Sequence, residues 1–116
     1  MNSSLIGAYG EHLAAKFLRD DNYEIKAANF KTQNGEIDLI AEKDGFLCFV
    51  EVKTRQIGGI TAPADAVNIR KQENIKSAAS VYLNKWAVGA EHRFDIIEVF
   101  LDGKEVQKIT HFKNSF

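Results

Sequence analysis

The stretch "GEIDLIAEKDGFLCFVEVKTRQ", residues 35–56, decides the fold. It contains two strand-like runs, 36–42 and 46–53, separated by a lysine and the pair Asp44-Gly45. Asp-Gly is favoured in a two-residue type I′ turn, where both central residues take positive φ. Such a turn sets Lys43 opposite Phe46, and counting back places Asp38 opposite Glu51 and Glu36 opposite Lys53. Cross-strand partners share a face, with Cβ atoms roughly 4.5–5.5 Å apart. A one-residue slip would send Asp38 and Glu51 to opposite faces, so the reading rests on the turn.

Two carboxylates facing each other repel, and one of them should have its pKa raised unless something relieves the charge. A divalent cation does so. Mg²⁺ uses one or two carboxylates, waters and substrate phosphates, and Mn²⁺ accepts similar oxygen donors. Lys53 would stand close enough to hold a water or to offset charge on a phosphate, which completes the parts for metal-assisted phosphodiester hydrolysis. The plain alternative is an exposed hairpin face with a surface Glu36–Lys53 pair worth little. Ile37, Leu39 and Ala41 are expected on one face, whereas Ile40, Leu47 and Phe49 share the face of the acids. That face is therefore not simply wet, and acids on it need a partner.

Outward from the hairpin, the chain reads as helix, three strands, helix, two strands. Ile6, Tyr9, Gly10, Leu13, Ala14, Phe17 and Leu18 recur at helical spacing within residues 4–20. A short strand is expected over 23–30, a glycine-opened loop over 56–62, a helix over 65–86 and a closing hairpin around Asp102-Gly103. Trp86 is expected in the core, and Gly7 and Gly10 are expected to allow helix–sheet contact. The natural architecture is an α/β domain with a mixed sheet and helices packed on it. At 116 residues one domain over 1–116 is expected, able to bury a core without disulfides. The single cysteine, Cys48, sits in an apolar run and reads as a buried hydrophobe. No signal-like or membrane-spanning segment is present in the sequence, so a cytoplasmic protein without membrane contact is the default.

The net charge of −1 argues against binding nucleic acid by bulk electrostatics. Charge is locally uneven: residues 34–52 hold five acids and one base, and 53–76 hold five bases and two acids. Arg55, Arg70, Lys71 and Lys76 are the candidate phosphate contacts, each with an ordinary surface charge as its alternative. Lys71 shares the stripe of Ile75 and could bring its ammonium over the acids. Asp95 follows Arg93 by two positions and is expected to form a structural ion pair with it. His12, His92 and His111 show no ligand spacing and are given no role.

"GEIDLIA" followed by "FVEVKTR", with "GAYGEHLAAKFL" upstream and "RFDIIEV" downstream, resembles the YraN-like family of small bacterial proteins over nearly the whole chain. More distantly it is similar to the PD-(D/E)XK nucleases, including restriction endonucleases and Holliday-junction resolvases. Their pattern corresponds here to Asp38, twelve intervening residues, Glu51, Val52 and Lys53, with Ile37 where the motif's proline would stand. The resemblance implies a restriction-endonuclease-like fold and catalytic roles for Asp38, Glu51 and Lys53. Asp38, Glu51 and the carbonyl of Val52 would bind Mg²⁺ or Mn²⁺, with Glu11 and Glu36 as further candidates. It also implies DNA rather than RNA as substrate, with branched junctions among its candidate forms, and a homodimer. A nucleic-acid-binding module without turnover and a protein-interaction domain with a vestigial site are the alternatives.

Overall fold

The structure, a computed structural model, describes residues 3–58 and 67–116. Helix α1 (Ser3–Asp20) leads into strands β1 (Glu24–Lys31), β2 (Glu36–Lys43) and β3 (Phe46–Gln56). Helix α2 (Ile69–Trp86) precedes β4 (His92–Asp102) and β5 (Glu105–Phe112). The strands form one sheet in chain order, antiparallel except for β3 against β4, which run parallel and are joined through α2. This is the α/β order read from the sequence, and it is compatible with a restriction-endonuclease-like arrangement.

The hairpin turn explains the register. Asp44 and Gly45 both have positive φ, 53° and 82°, as a type I′ turn requires. Lys43 pairs with Phe46, and the ladder continues to Leu39 opposite Val50. β3 extends past the expected end at Lys53 to Gln56, because β4 pairs with it as far as Leu101. Residues 59–62 of the expected loop lie outside the described residues. α2 starts at Ile69 rather than 65, since the Asn68 side chain accepts a bond from Lys71 N at 2.8 Å and caps the helix. Residues 65 and 66 also lie outside the described part.

Each face of the sheet carries a core. On one, Ala14, Ala15 and Leu18 of α1 pack on Leu39, Ala41, Cys48, Val50, Ile97 and Val99. On the other, Ile75, Ala78 and Ala79 of α2 pack on Ile37, Ile40, Leu47 and Phe49. Ile37 thus corrects the expectation that it would sit with Leu39 and Ala41. Ile37 lies beyond the end of the β2–β3 ladder at Leu39, and with its β1 partner Phe30 it joins the core on the α2 side.

Gly10 is a close-packing position as expected: a Cβ there would come within 2.8 Å of the Thr54 Cβ. Gly7 is not, having open space where a side chain would go. Trp86 is not core either. It is 57% exposed at the end of α2, edge-on to Phe30 and beside Tyr82 and Lys85. Helical spacing at the last turn of α2 therefore does not mean burial. No described helix is long and apolar enough to cross a membrane.

Candidate functional site

The acids meet where β2 and β3 part. The next pair after Leu39 and Val50 would be Asp38 and Glu51, and the backbone ladder stops before it. Instead the Asp38 carboxylate accepts a hydrogen bond from Val52 N–H at 2.8 Å, taking the place of a ladder carbonyl. N–H and C=O of one strand residue point to the same edge, so the Val52 carbonyl faces this gap too. Glu51 is only 6% exposed and receives the Lys71 ammonium from α2 at 2.9 Å. Glu11 comes from the opposite side of the sheet, on the half-buried flank of α1. The cluster therefore draws on both helices and both strands of the hairpin.

Its electrostatics follow from that crowding. Burial and then the neighbouring Glu51 push the Asp38 carboxyl up to about 8, against the opposing bond from Val52 N–H; Glu11 and a hydrogen bond with Glu51 raise it further. Asp38 consequently favours its protonated form at neutral pH. Burial also raises Glu11, partly offset by a hydrogen bond with the Asn29 side chain, and Glu36 and Glu51 add to the rise.

Asn29 is a participant that sequence reasoning missed. The register pairing Ala28 with Leu39 and Phe30 with Ile37 sets Asn29 level with Asp38. Its φ of 51° is in the left-handed region, which asparagine tolerates better than most residues. An asparagine inside a strand-like run was the available signal.

Two clefts open from the cluster on the α2 side. One, of about 190 Å³, is bordered by Glu36, Asp38, Glu51, Lys71 and Asn74. The other, of about 180 Å³, is bordered by Glu51, Val52, Lys53, Thr54 and Lys71. Lys53 is thus brought beside Glu51, on the same face and two residues along β3. Glu36 is exposed and pairs across to Lys31 of β1, beyond the end of the β2–β3 ladder.

The expected phosphate contacts divide. Lys71 does reach over the acids, but its ammonium lies on Glu51. Arg55 Nε donates to Glu98 at 2.7 Å. Lys76 is exposed and lies over the rings of Phe94 and Phe116, at 5.7 and 6.0 Å. Arg70 is exposed in the first turn of α2.

Asp95 is fully buried, and the expected ion pair with Arg93 is present at 3.0 Å. The sequence did not reveal its other partners, His111 Nε2 at 2.7 Å and Asn114 N–H at 3.0 Å. Burial alone would raise Asp95, but His111, Arg93 and Asn114 outweigh it and hold the carboxyl below its ordinary range. Arg93 also donates to the Tyr23 hydroxyl at 2.6 Å. The assembly ties β4, β5 and the turn between α1 and β1 together on the face opposite Glu51.

The donors suit one kind of metal. Two carboxyl groups and a backbone carbonyl are hard oxygen ligands, and the described residues contain no group of three His, Cys, Asp or Glu side chains able to hold an ion. Such a set leaves several positions for water and phosphate. Were a cation held there, oxygen donors of this kind would favour Mg²⁺ or Mn²⁺ over a closed zinc site or the many-oxygen cage of Ca²⁺.

Comparison with known proteins places these features in a family. The model of the Uncharacterised protein family UPF0102 matches residues 10–99. A UPF0102 protein of Acetivibrio thermocellus is 44% identical over 99% of this chain and 93% of its own length. Another, from Caldicellulosiruptor bescii, is 41% identical over the full length of both chains. One from Syntrophomonas wolfei is 44% identical, again over both full lengths. These descriptions name no reaction.

Proposed function

The chain belongs to the UPF0102 family, the YraN-like group its motifs resemble, and from the placement of its acids we propose that it is a metal-dependent nuclease hydrolysing phosphodiester bonds in DNA. One observation carries the reading. Asp38 and Glu51 are brought together in a partly buried cleft, where burial and the neighbouring Glu51 charge raise the Asp38 carboxyl. A fold gains no stability from such a pair, so a ligand that rewards it is the economical explanation.

Asp38 and Glu51 would hold Mg²⁺ or Mn²⁺, with the Val52 carbonyl facing the same gap. When bound, the ion supplies Lewis acidity and a more acidic water. Lys53 brings positive charge into the cleft, where it offsets phosphate charge and orients the attacking water. Attack of the water oxygen on phosphorus breaks one P–O ester bond and leaves a phosphate monoester and a hydroxyl. Glu11, on the other side of the gap, suits a water-mediated contact. A homodimer would let a domain of this size address two strands.

A non-catalytic nucleic-acid-binding module is the second reading, and Lys71 favours it. Its ammonium already lies on Glu51, where an incoming cation must compete. The two are separated by a cleavage assay on single-stranded, duplex, flapped and four-way-junction DNA and on RNA. Mg²⁺ or Mn²⁺ would be supplied, with EDTA and Asp38→Asn as controls. Metal-dependent cleavage lost in the variant is expected. Salt-dependent binding with no cleavage of any member would overturn the nuclease reading in favour of the module.

A further inference from the structure

Beside the acid clefts lies a larger basin of about 740 Å³, bordered by Lys53, Arg55, Ile96, Glu98, Phe112 and Lys113 among others. It joins the clefts through shared residues. Glu51 and Lys71 border both clefts, and Lys53 borders the second cleft and the basin. The clefts and the basin thus lie side by side on one face, from Asp38 towards β5.

The register gives this face its dimensions. Glu51 pairs with Ile96 on β4, and Ile96 pairs with Phe112 on β5. Paired residues point to one face, so Glu51, Ile96 and Phe112 form a single row across three strands. Neighbouring strands lie about 4.8 Å apart, which puts the Phe112 position about 10 Å from that of Glu51. α2 covers β2 and β3 on this face; at the β5 end of the row Phe112 is 46% exposed, and α2 does not reach it among the described residues. Among the described residues on the basin's border, the bases Lys53, Arg55 and Lys113 outnumber the one acid, Glu98, to which Arg55 is bonded.

An exposed aromatic ring among bases, one short span from a phosphate-hydrolysing cleft, matches how unpaired bases are held: stacking on the ring and phosphates tracking the cations. A paired base has its faces covered by its neighbours in the stack and cannot lie on Phe112 without leaving the duplex. We propose that the basin binds an unpaired nucleotide next to the bond to be cut, so that the substrate is single-stranded nucleic acid or the single-stranded part of a branched structure. This rests on the hydrolytic reading above and narrows its substrate.

The test is binding, measured in Ca²⁺ and in EDTA, of a short single strand carrying a fluorescent adenine analogue and of its blunt duplex. The single strand should bind more tightly than the duplex, with quenching of the analogue. Phe112→Ala should weaken single-strand binding by about five- to 150-fold and remove the quenching, while Phe112→Tyr keeps both. Lys113→Ala should weaken binding and reduce the slope of log affinity against log salt by about 1. Duplex binding as tight as single-strand binding, or single-strand binding unmoved by Phe112→Ala, would overturn the inference. So would a change in sedimentation as the sole effect of Phe112→Ala, which would assign the face to a protein partner. Failure of the hydrolytic reading looks different: Phe112-dependent binding would persist while no substrate is cleaved.

Discussion

Replacing Asp38 with asparagine should stabilise the metal-free protein while removing its proposed chemistry. Its carboxyl is pushed up to about 8 in the folded chain, by burial first and by Glu51 second, from an ordinary value of 3.8. Below the ordinary value both states are protonated and the group contributes no pH dependence. Between about pH 4 and 8 the folded state holds a proton that the unfolded state has lost, so stability falls as pH rises. A tenfold change in proton affinity is worth about 1.36 kcal/mol, giving a ceiling of roughly 5 kcal/mol by pH 8. Water entering the cleft and movement of the half-exposed Lys71 relieve part of this, so about 2–3 kcal/mol is the working expectation. The assay is urea unfolding of wild type and Asp38→Asn in EDTA at several pH values. The variant's advantage should be absent near pH 4, grow with pH and level off above 8. An advantage independent of pH, or a variant less stable at pH 9, would refute the argument.

Three further perturbations probe the supports of the site. Gly35→Ala would put a Cβ within 2.8 Å of the Asn74 carbonyl carbon on α2, so unfolding should show a loss of about 1–3 kcal/mol, and an unchanged stability would deny that contact. Lys71→Met removes the ammonium that competes for Glu51 and should tighten Mn²⁺ binding by up to about fivefold in a calorimetric titration; weaker binding would make Lys71 a support rather than a competitor. Asp95→Ala leaves Arg93 and the buried His111 without their shared acceptor and should cost about 3–5 kcal/mol by denaturation. Because Asp95 is held below its ordinary value, its contribution is present above about pH 4 and lost as pH falls further, which wild-type acid titration against Asp95→Asn should show.

The hairpin was legible because local chemistry specifies it. Asp44-Gly45 sets the turn, the turn sets the register, and the register brings Asp38 next to Glu51. What happens at the end of that register was not legible. Two carboxyl groups cannot extend an apolar ladder cheaply, so Asp38 turns to the Val52 amide and Ile37 changes face. Neither event leaves a trace in alternation. Asn29 and His111 escaped because their partners come from other elements, through registers interrupted between Ile25 and Ala27 and between Phe100 and Leu101. Trp86 misled for a simpler reason: spacing places a residue on a helical stripe but does not fix how far it is covered, and Trp86 stands 57% exposed. Lys71 was foreseen over the acids, but its ion pair with Glu51 required the helix position that Asn68 fixes.

The most direct test of the central claim, that Asp38 and Glu51 form a divalent-cation site, is a Mn²⁺ titration followed by electron paramagnetic resonance with proton release measured in parallel. Near pH 7 the account predicts binding by wild type accompanied by release of the proton held on Asp38, with both lost in Asp38→Asn and Glu51→Gln. Absence of binding, or binding that both variants retain, would contradict it.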